Sequence, residues 1–133
     1  MAQISRSVVG LRIAGEDLIP AEVTSMLGCE STSEQTKGDL VVKRKKRTAE
    51  IGMWRMKATD FEPENLDAQI LEILEKLSSN LEVWEVLTKK FKIDLFCGLF
   101  MKKSNEGITI SPLSLMMLGE RGILLGLDIY DPD

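Results

Sequence analysis

Residues 5–13 read Ser-Arg-Ser-Val-Val-Gly-Leu-Arg-Ile, and this stretch predicts the first strand of a sheet. Ser7, Val9, Leu11 and Ile13 alternate with the residues between them. A period of two is typical of a strand whose two faces meet different surroundings. The mainly apolar set therefore predicts that one face of this strand packs against a core.

Turn residues and periodicity predict the other elements on either side of that strand. Pro20 suits the first turn of a helix, and Gly28 suits its left-handed end. Residues 29–38 are polar and predict a loop. The remaining predicted elements are strands over 39–45 and 48–57, helices over 66–79 and 81–91, a strand over 92–102, an extended piece over 108–110, a helix from Ser111 to Gly119 or Gly122, and a strand over 123–130.

The order β-α-β-β-α(α)-β-α-β predicts an α+β fold with a mostly antiparallel sheet and helices packed on one face. The first elements follow the split βαβ plan of ferredoxin-like folds. The strand over 92–102 is apolar on both faces, which predicts a central position in the sheet. A length of 133 residues with 44% hydrophobic content predicts a single globular domain over 1–133.

Charge and residue usage exclude several classes of function. The chain has 17 Lys and Arg against 21 Asp and Glu, and no histidine. A net charge of −4 does not provide the concentrated positive field that nucleic acid requires, so we expect no nucleic-acid partner. Without histidine the commonest general base and metal ligand are missing, and we assign no catalytic, cofactor-binding or metal-binding residue.

Two observations bear on location. No apolar run approaches the roughly 18 residues that span a bilayer, and no secretory leader is evident, so we expect no membrane partner. Cys29 and Cys97 are the only cysteines, and their contexts favour free thiols. We therefore expect a cytoplasmic protein.

The strongest charge feature is the basic run of Lys43, Arg44, Lys45, Lys46 and Arg47, which joins two predicted strands. It is a candidate binding surface for an acidic protein or a phosphate. The structural interpretation is that these charges protect a hairpin edge against aggregation, and this is the commoner role of such residues.

Two further pairs are candidates for a site. Glu16 and Asp17 are adjacent carboxylates after the first strand, and they suit a cation or acid–base chemistry. No third ligand follows at a recognisable spacing, so turn formation and stabilisation of the helix dipole are favoured. Trp54 and Trp84 occupy periodic apolar positions, which favours core packing over a ligand pocket.

Short motifs spread over nearly the whole chain form one pattern. They are the stretch over 11–20, Leu27-Gly28, Lys37-Gly38-Asp39, Gly52-Met53-Trp54, the run over 66–71, the strand around Leu95, and Leu127-Asp128-Ile129-Tyr130. This pattern resembles the bacterial family called domain of unknown function 4279. The resemblance implies a small bacterial α+β domain and no particular activity.

The sequence departs from this family pattern in two places. Ser31-Thr32 stands where a Pro-Thr pair follows the first helix. Ile19 stands where an acidic residue commonly precedes the helix-opening proline. Because isoleucine cannot cap a helix, this second departure predicts a loss of about 1 kcal/mol at the helix start.

Three functions stay open from the sequence. The first is a non-catalytic module that binds another protein through an acidic partner surface; an immunity or toxin-neutralising role is an analogy only. The second is a small-ligand or anion sensor that uses the sheet face or the basic hairpin. The third is a carboxylate-based enzyme that uses Glu16 and Asp17. The first is favoured, because the sequence contains neither a nucleophile constellation nor a cofactor motif.

Overall fold

A computed structural model describes residues 2–42 and 47–132. The strands are β1 (Ala2–Gln3), β2 (Arg6–Gly15), β3 (Ser33–Gln35), β4 (Leu40–Val42), β5 (Arg47–Thr48), β6 (Gly52–Lys57), β7 (Lys92–Phe100), β8 (Glu106–Gly107) and β9 (Leu124–Tyr130). The helices are α1 (Pro20–Leu27), α2 (Leu66–Lys76), α3 (Leu81–Lys90) and α4 (Pro112–Glu120).

The main sheet has five strands in the order β3-β6-β2-β7-β9. All neighbours are antiparallel except β7 and β9, which are parallel. Consequently β2 and β3 run in the same direction with β6 between them, so β2, α1 and β3 form a split βαβ unit. The strands β6 and β7 form a second such unit around β2. The predicted α+β class, the mostly antiparallel sheet and the split βαβ start are confirmed.

The chain then adds a strand to this ferredoxin-like core. After β7, helix α4 leads into β9, which pairs in parallel along β7 from Asp94↔Leu124 to Phe100↔Tyr130. Two small ribbons complete the structure: β1 pairs with β8, and β4 pairs with β5.

The predicted boundaries are wrong in the region between α1 and β6. Strand β3 lies inside the predicted loop 29–38, because the backbone N–H of Thr32 donates to Arg55 O at 2.7 Å and draws this polar segment onto β6. The predicted strand 48–57 is divided, since β5 pairs with β4 and only β6 enters the main sheet. Tertiary pairing therefore overrides weak local strand preference here.

In the C-terminal half one predicted extended segment lies slightly away from the strand that the structure contains. The predicted extended piece at 108–110 is not a strand, and the pairing with β1 is made by β8 instead. Helices α2, α3 and α4 and strands β7 and β9 begin within one residue of their predicted starts.

The helices cover one face of the main sheet, here called the covered face. Val9, Leu11 and Ile13 of β2 are fully buried there, as the alternation predicts. Trp54 and Trp84 are also fully buried. The Trp54 Nε1 donates to Thr24 Oγ1 at 3.0 Å, and the Trp84 Nε1 donates to Ser78 O at 2.8 Å. Both indole N–H groups are therefore satisfied inside the core, and both tryptophans are structural.

One buried polar cluster ties the sheet to a helix. The Ser7 hydroxyl donates to Gln69 Oε1 at 2.6 Å, and the Gln69 Nε2 donates to Ser7 O and Thr59 O at 2.9 Å each. Because Ser7 and Gln69 are fully buried, these bonds replace the water that their polar atoms lose on folding.

The ends of α1 agree with the sequence. Ile19 makes no side-chain cap, Pro20 occupies the first turn, and Gly28 ends the helix with φ 81°. The Gly28 N–H donates to Thr24 O at 2.8 Å. The start of α1 thus lacks the side-chain acceptor found at α4, where the Ser111 hydroxyl accepts from Ser114 N.

Candidate functional site

The other face of the main sheet is here called the open face. Every second residue of β2 faces away from the helices, in alternation with the buried residues. These residues are Arg6, Val8, Gly10 and Arg12. In the registers of the sheet, Val8 lies opposite Gly98, and Gly10 lies opposite both Phe96 and Lys57. The open face therefore combines cations, aromatic rings and glycines on three adjacent strands.

Aromatic side chains form a row along β7 and β9. Phe96 and Phe100 stand on either side of Gly98, where an added Cβ would meet both rings at 3.5 Å. The Phe100 and Tyr130 rings stack with centroids 4.6 Å apart and planes at 9°. The glycine thus leaves space for the two phenylalanine rings to lie close to the sheet.

Two arginines lie over these rings. The guanidinium carbon of Arg6 is 4.9 Å from the Phe100 centroid, and that of Arg12 is 5.0 Å from the Phe96 centroid. Arg12 also donates two hydrogen bonds to Asp94, at 2.9 and 2.7 Å. The hydrogen bonds to this carboxylate raise the pKa of the Arg12 guanidinium above its ordinary value. Arg12 is therefore permanently charged and fixed in orientation.

Beside this row, a hollow of about 390 Å³ opens above the centre of β2. Gly10 forms part of its floor, and its walls include Arg12, Arg55, Lys57 and Phe96. The volume falls within the range of small-molecule sites, about 300–1,000 Å³. Among the described residues that line the hollow, none carries a carboxylate.

The edge strand positions the second cation of the hollow. The Arg55 guanidinium donates to Ser33 Oγ and Gln35 Oε1 at 3.4 Å each, and to Met53 Sδ at 3.0 Å. None of these partners is an anion, so the positive charge of Arg55 is not neutralised by them. The hollow can accordingly attract a carboxylate or phosphate to its wall and place an apolar group on its floor.

Residues 3–132 match the model of a family described as Domain of unknown function (DUF4279). The chain belongs to this family. The match covers nearly the whole chain and confirms the family resemblance seen in the sequence. Searches of curated proteins and of solved structures found no match. Because the family's description states no activity, function has to be argued from the geometry.

The structure places the predicted carboxylates elsewhere. Glu16 accepts a hydrogen bond from Lys37 Nζ at 2.6 Å, and this bond lowers the pKa of the Glu16 carboxyl. Asp17 is exposed in the same turn, and neither residue lines the hollow on the open face. The Glu16–Lys37 pair joins the turn after β2 to the segment before β4. The roles of Glu16 and Asp17 in a site or in stabilising the helix dipole stay predictions.

The basic run lies almost entirely outside the described residues. Lys43, Arg44, Lys45 and Lys46 belong to that part of the chain, and Arg47 is the first residue of β5. The run joins β4 to β5, and its candidate role in binding stays a prediction.

Other chemistries find little support within 2–42 and 47–132. In this part of the chain no three His, Cys, Asp or Glu side chains are placed to hold a metal ion, and no helix is long and apolar enough to cross a bilayer. Cys29 and Cys97 are free thiols. Burial of Cys97 raises its pKa to about 12, so this thiol is not an activated nucleophile.

Sequence reasoning missed the residues of the open face. The signal was present, because Phe96 and Phe100 alternate with the buried residues of β7 in the way that Arg6 and Arg12 alternate with those of β2. Apolar residues on both faces of β7 indicated an interior strand, and β7 does lie between β2 and β9. The face of β7 that carries Phe96 and Phe100 contacts Arg12 and borders the hollow, whereas its other face packs into the core.

Proposed function

We propose that this protein is a non-catalytic binding module whose open face holds a small anion with a flat apolar body. The observation that carries the proposal is the hollow above Gly10, which has a mainly apolar lining and is bordered by the three cationic side chains of Arg12, Arg55 and Lys57. This was the second of the three functions left open by the sequence. It is now preferred because the hollow brings cations and an aromatic ring together around one space.

The cationic side chains around the hollow favour an anionic ligand. The Arg12 charge is shared with Asp94, whereas the described contacts of Arg55 are uncharged. Lys57 Nζ lies 3.6 Å from Asp60 in an exposed ion pair, which contributes little and can rearrange. We therefore assign the anionic group of the ligand to Arg55, with Lys57 as the second donor.

The shape of the hollow favours a planar apolar group in the ligand. A Cβ on Gly10 would meet only Met56 O, at 3.6 Å, so the absence of a side chain leaves open space above the strand. Phe96 borders this space, with Arg12 lying over its ring. A planar group fits between Phe96 and the Gly10 backbone better than a bulky aliphatic one, because both surfaces are flat.

The same residues argue against catalysis at this place. The Thr32 hydroxyl already donates to Arg55 O at 3.2 Å and accepts from Lys57 N at 3.0 Å. The described lining residues supply no carboxylate, imidazole or thiol that could move a proton at neutral pH. Binding without chemistry is the function that these groups support.

A ligand panel tests the proposal. The probes are 2-naphthoate, its neutral analogue 2-naphthol and inorganic phosphate, each measured by thermal unfolding and calorimetry. Together they distinguish the contribution of the aromatic ring to binding from that of the negative charge. We expect 2-naphthoate to raise the melting temperature, since a ligand at about 100 times its Kd adds about 2.7 kcal/mol to folding. 2-Naphthol lacks the charge and phosphate lacks the ring, so each should bind at least tenfold more weakly than 2-naphthoate.

The matched variants are Gly10→Val and Gly126→Val. Both glycines lie on the open face, and an added Cβ meets only a backbone oxygen, at 3.6 Å for Gly10 and 3.8 Å for Gly126. Only Gly10 lines the hollow. Gly10→Val should abolish 2-naphthoate binding, and Gly126→Val should retain it. Equal binding by both variants, or tight binding of a single-stranded oligonucleotide instead, would overturn the proposal.

The basic run supports a second candidate, a protein partner with an acidic surface. Five consecutive cations follow β4, the last of them being the first residue of β5, in a chain of net charge −4, so this segment would attract an anionic surface. Replacing Lys45, Lys46 and Arg47 with glutamine should then slow association with a captured partner and reduce its salt dependence. Unchanged association rates at low and high salt would leave edge protection as the role of the run.

A further inference from the structure

The two edges of the main sheet differ in how they are protected. The edge strand β3 has three polar residues, Ser33–Gln35. The opposite edge is β9, which has seven residues over Leu124–Tyr130. Within residues 2–42 and 47–132 no strand pairs with the outer side of β9. A long unpaired apolar edge is a template for another strand.

The register shows which backbone groups of β9 are unpaired. Tyr130 O accepts from Met101 N at 3.2 Å, so the peptide groups of Tyr130 point towards β7. Because these groups alternate along a strand, those of Leu125, Leu127 and Ile129 point to the outer side. The free edge thus offers three regularly spaced donor and acceptor sets.

The side chains around this edge are exposed and apolar. They are Leu124, Leu127, Ile129 and Tyr130 of β9 and Leu115 and Met116 of α4. At roughly 100 Å² for each half-exposed large apolar residue, these six side chains present about 600 Å² per partner, the lower end of the range for a specific interface. An apolar patch of this size is as large as the largest patch on a typical monomer, and such patches are often interaction sites.

We propose that the occupant of this edge is a second copy of the chain, paired antiparallel through β9 about a two-fold axis at Leu127. Leu127 then lies opposite its own counterpart, and Leu125 lies opposite Ile129 of the second copy. These are the residues whose peptide groups point outward, so each pair exchanges both backbone hydrogen bonds. The two five-stranded sheets become one continuous sheet.

Self-complementarity favours a second copy over an unrelated strand. In this register Asp128 lies opposite Gly126 of the second copy, so the only charged side chain within β9 does not meet a like charge. Leu125, Leu127 and Ile129 lie on the covered side of the sheet in both copies and form one apolar row. The two α4 helices approach each other above that row, where the exposed Leu115 and Met116 are buried.

Sedimentation of the full chain over a range of concentrations tests the assembly. We expect a mass of two chains instead of 14.9 kDa at micromolar concentration. The double variant Leu127→Lys and Ile129→Lys should weaken the dimer by about a hundredfold or more, because the lysines introduced at position 127 of the two copies would meet across the axis. The control Val86→Lys alters a residue of α3 that is 42% exposed, against 43% for Leu127, and should remain dimeric.

Amide hydrogen exchange tests the register and does not depend on a variant. The amides of Leu125, Leu127 and Ile129 should be protected at high concentration and exchange faster as the protein is diluted. Those of Gly126 and Asp128, which face β7, should stay protected throughout. A monomer at hundreds of micromolar, or a dimer whose edge amides exchange equally fast at all concentrations, would overturn the proposal.

Discussion

Val9 and Leu11 point from β2 into the core under the helices, whereas Gly10 and Arg12 from the same strand point to the open face. On the covered face the side chains are aliphatic or aromatic, and the buried polar atoms of Ser7 and Gln69 are paired. On the open face the half-exposed Arg12 side chain forms an ion pair with Asp94 and lies over the Phe96 ring. Stability is therefore concentrated on one side of the sheet and binding capacity on the other. Substitutions on the two faces should separate these properties.

The largest effect is expected from Trp84→Ala on the covered face. Trp84 is fully buried, and its removal would leave a large cavity beneath α3. We expect a loss of about 3–5 kcal/mol in the free energy of unfolding, measured by urea denaturation. Leu81→Ala, at an exposed position of the same helix, is the control and should change little. Wild-type stability in Trp84→Ala would contradict a core role.

The next effect should come from the buried polar cluster. Gln69→Leu keeps the volume but removes the acceptor of the Ser7 hydroxyl and the side-chain donor to Thr59 O, while Ser7 O keeps its bond from Phe61 N at 3.1 Å. We expect a loss of about 1–3 kcal/mol. A double-mutant cycle with Ser7→Ala measures the coupling. Additive losses would show that the two side chains do not depend on each other.

A smaller, pH-dependent effect is expected where α4 meets α2. Burial alone raises the pKa of Asp67, but hydrogen bonds from Ser114 and Ser111 outweigh it and leave the pKa below its ordinary value. A lowered carboxyl pKa adds stability above the unfolded pKa, about 3.9, and this stability is lost as the pH falls through the folded pKa. The stability difference between wild type and Asp67→Asn should therefore be present at pH 6 and shrink below about pH 4.

Urea titrations from pH 3 to 6 measure that difference. Asp17→Asn, at an exposed carboxylate, is the control and should follow the wild type. A difference that is constant over the whole range would show that the Asp67 charge does not contribute to the packing of α4.

The smallest stability effect should come from Arg12→Gln on the open face. Arg12 is 42% exposed and Asp94 18% exposed in this bidentate pair, and solvent screening of the guanidinium limits its contribution to about 1 kcal/mol. Because the anionic group of the ligand is assigned to Arg55 and Lys57, this variant should weaken 2-naphthoate binding only through loss of the group that lies over Phe96. Weaker binding at unchanged stability would sharpen the contrast between the faces. A destabilisation as large as that of Gln69→Leu would remove the contrast.

Element types could be predicted wherever the local pattern was strong. The alternation in β2 and the stripe in α2 predicted a strand and a helix near their actual bounds, because burial of one side imposes its period on the sequence. Strand β3 could not be predicted, because Ser33, Glu34 and Gln35 carry no apolar alternation and become a strand only through bonds to β6. The candidate hollow was missed for the same reason, since its walls come from different strands.

By itself the sequence determined the α+β class, the family, the covered-face residues of β2 and β7, and the burial of both tryptophans. The class, the covered-face residues and the burial of the tryptophans follow from local periodicity, which reports whether a side chain meets solvent or the core. The family follows from the resemblance carried by short motifs along the chain, which the match over residues 3–132 confirms. Only the tertiary structure decided that Arg12 meets Asp94 and Phe96, that Gly10 forms the floor of a hollow, and that β9 ends the sheet. These facts depend on strand order and register, which are set by contacts between residues far apart in the chain, so no local pattern encodes them.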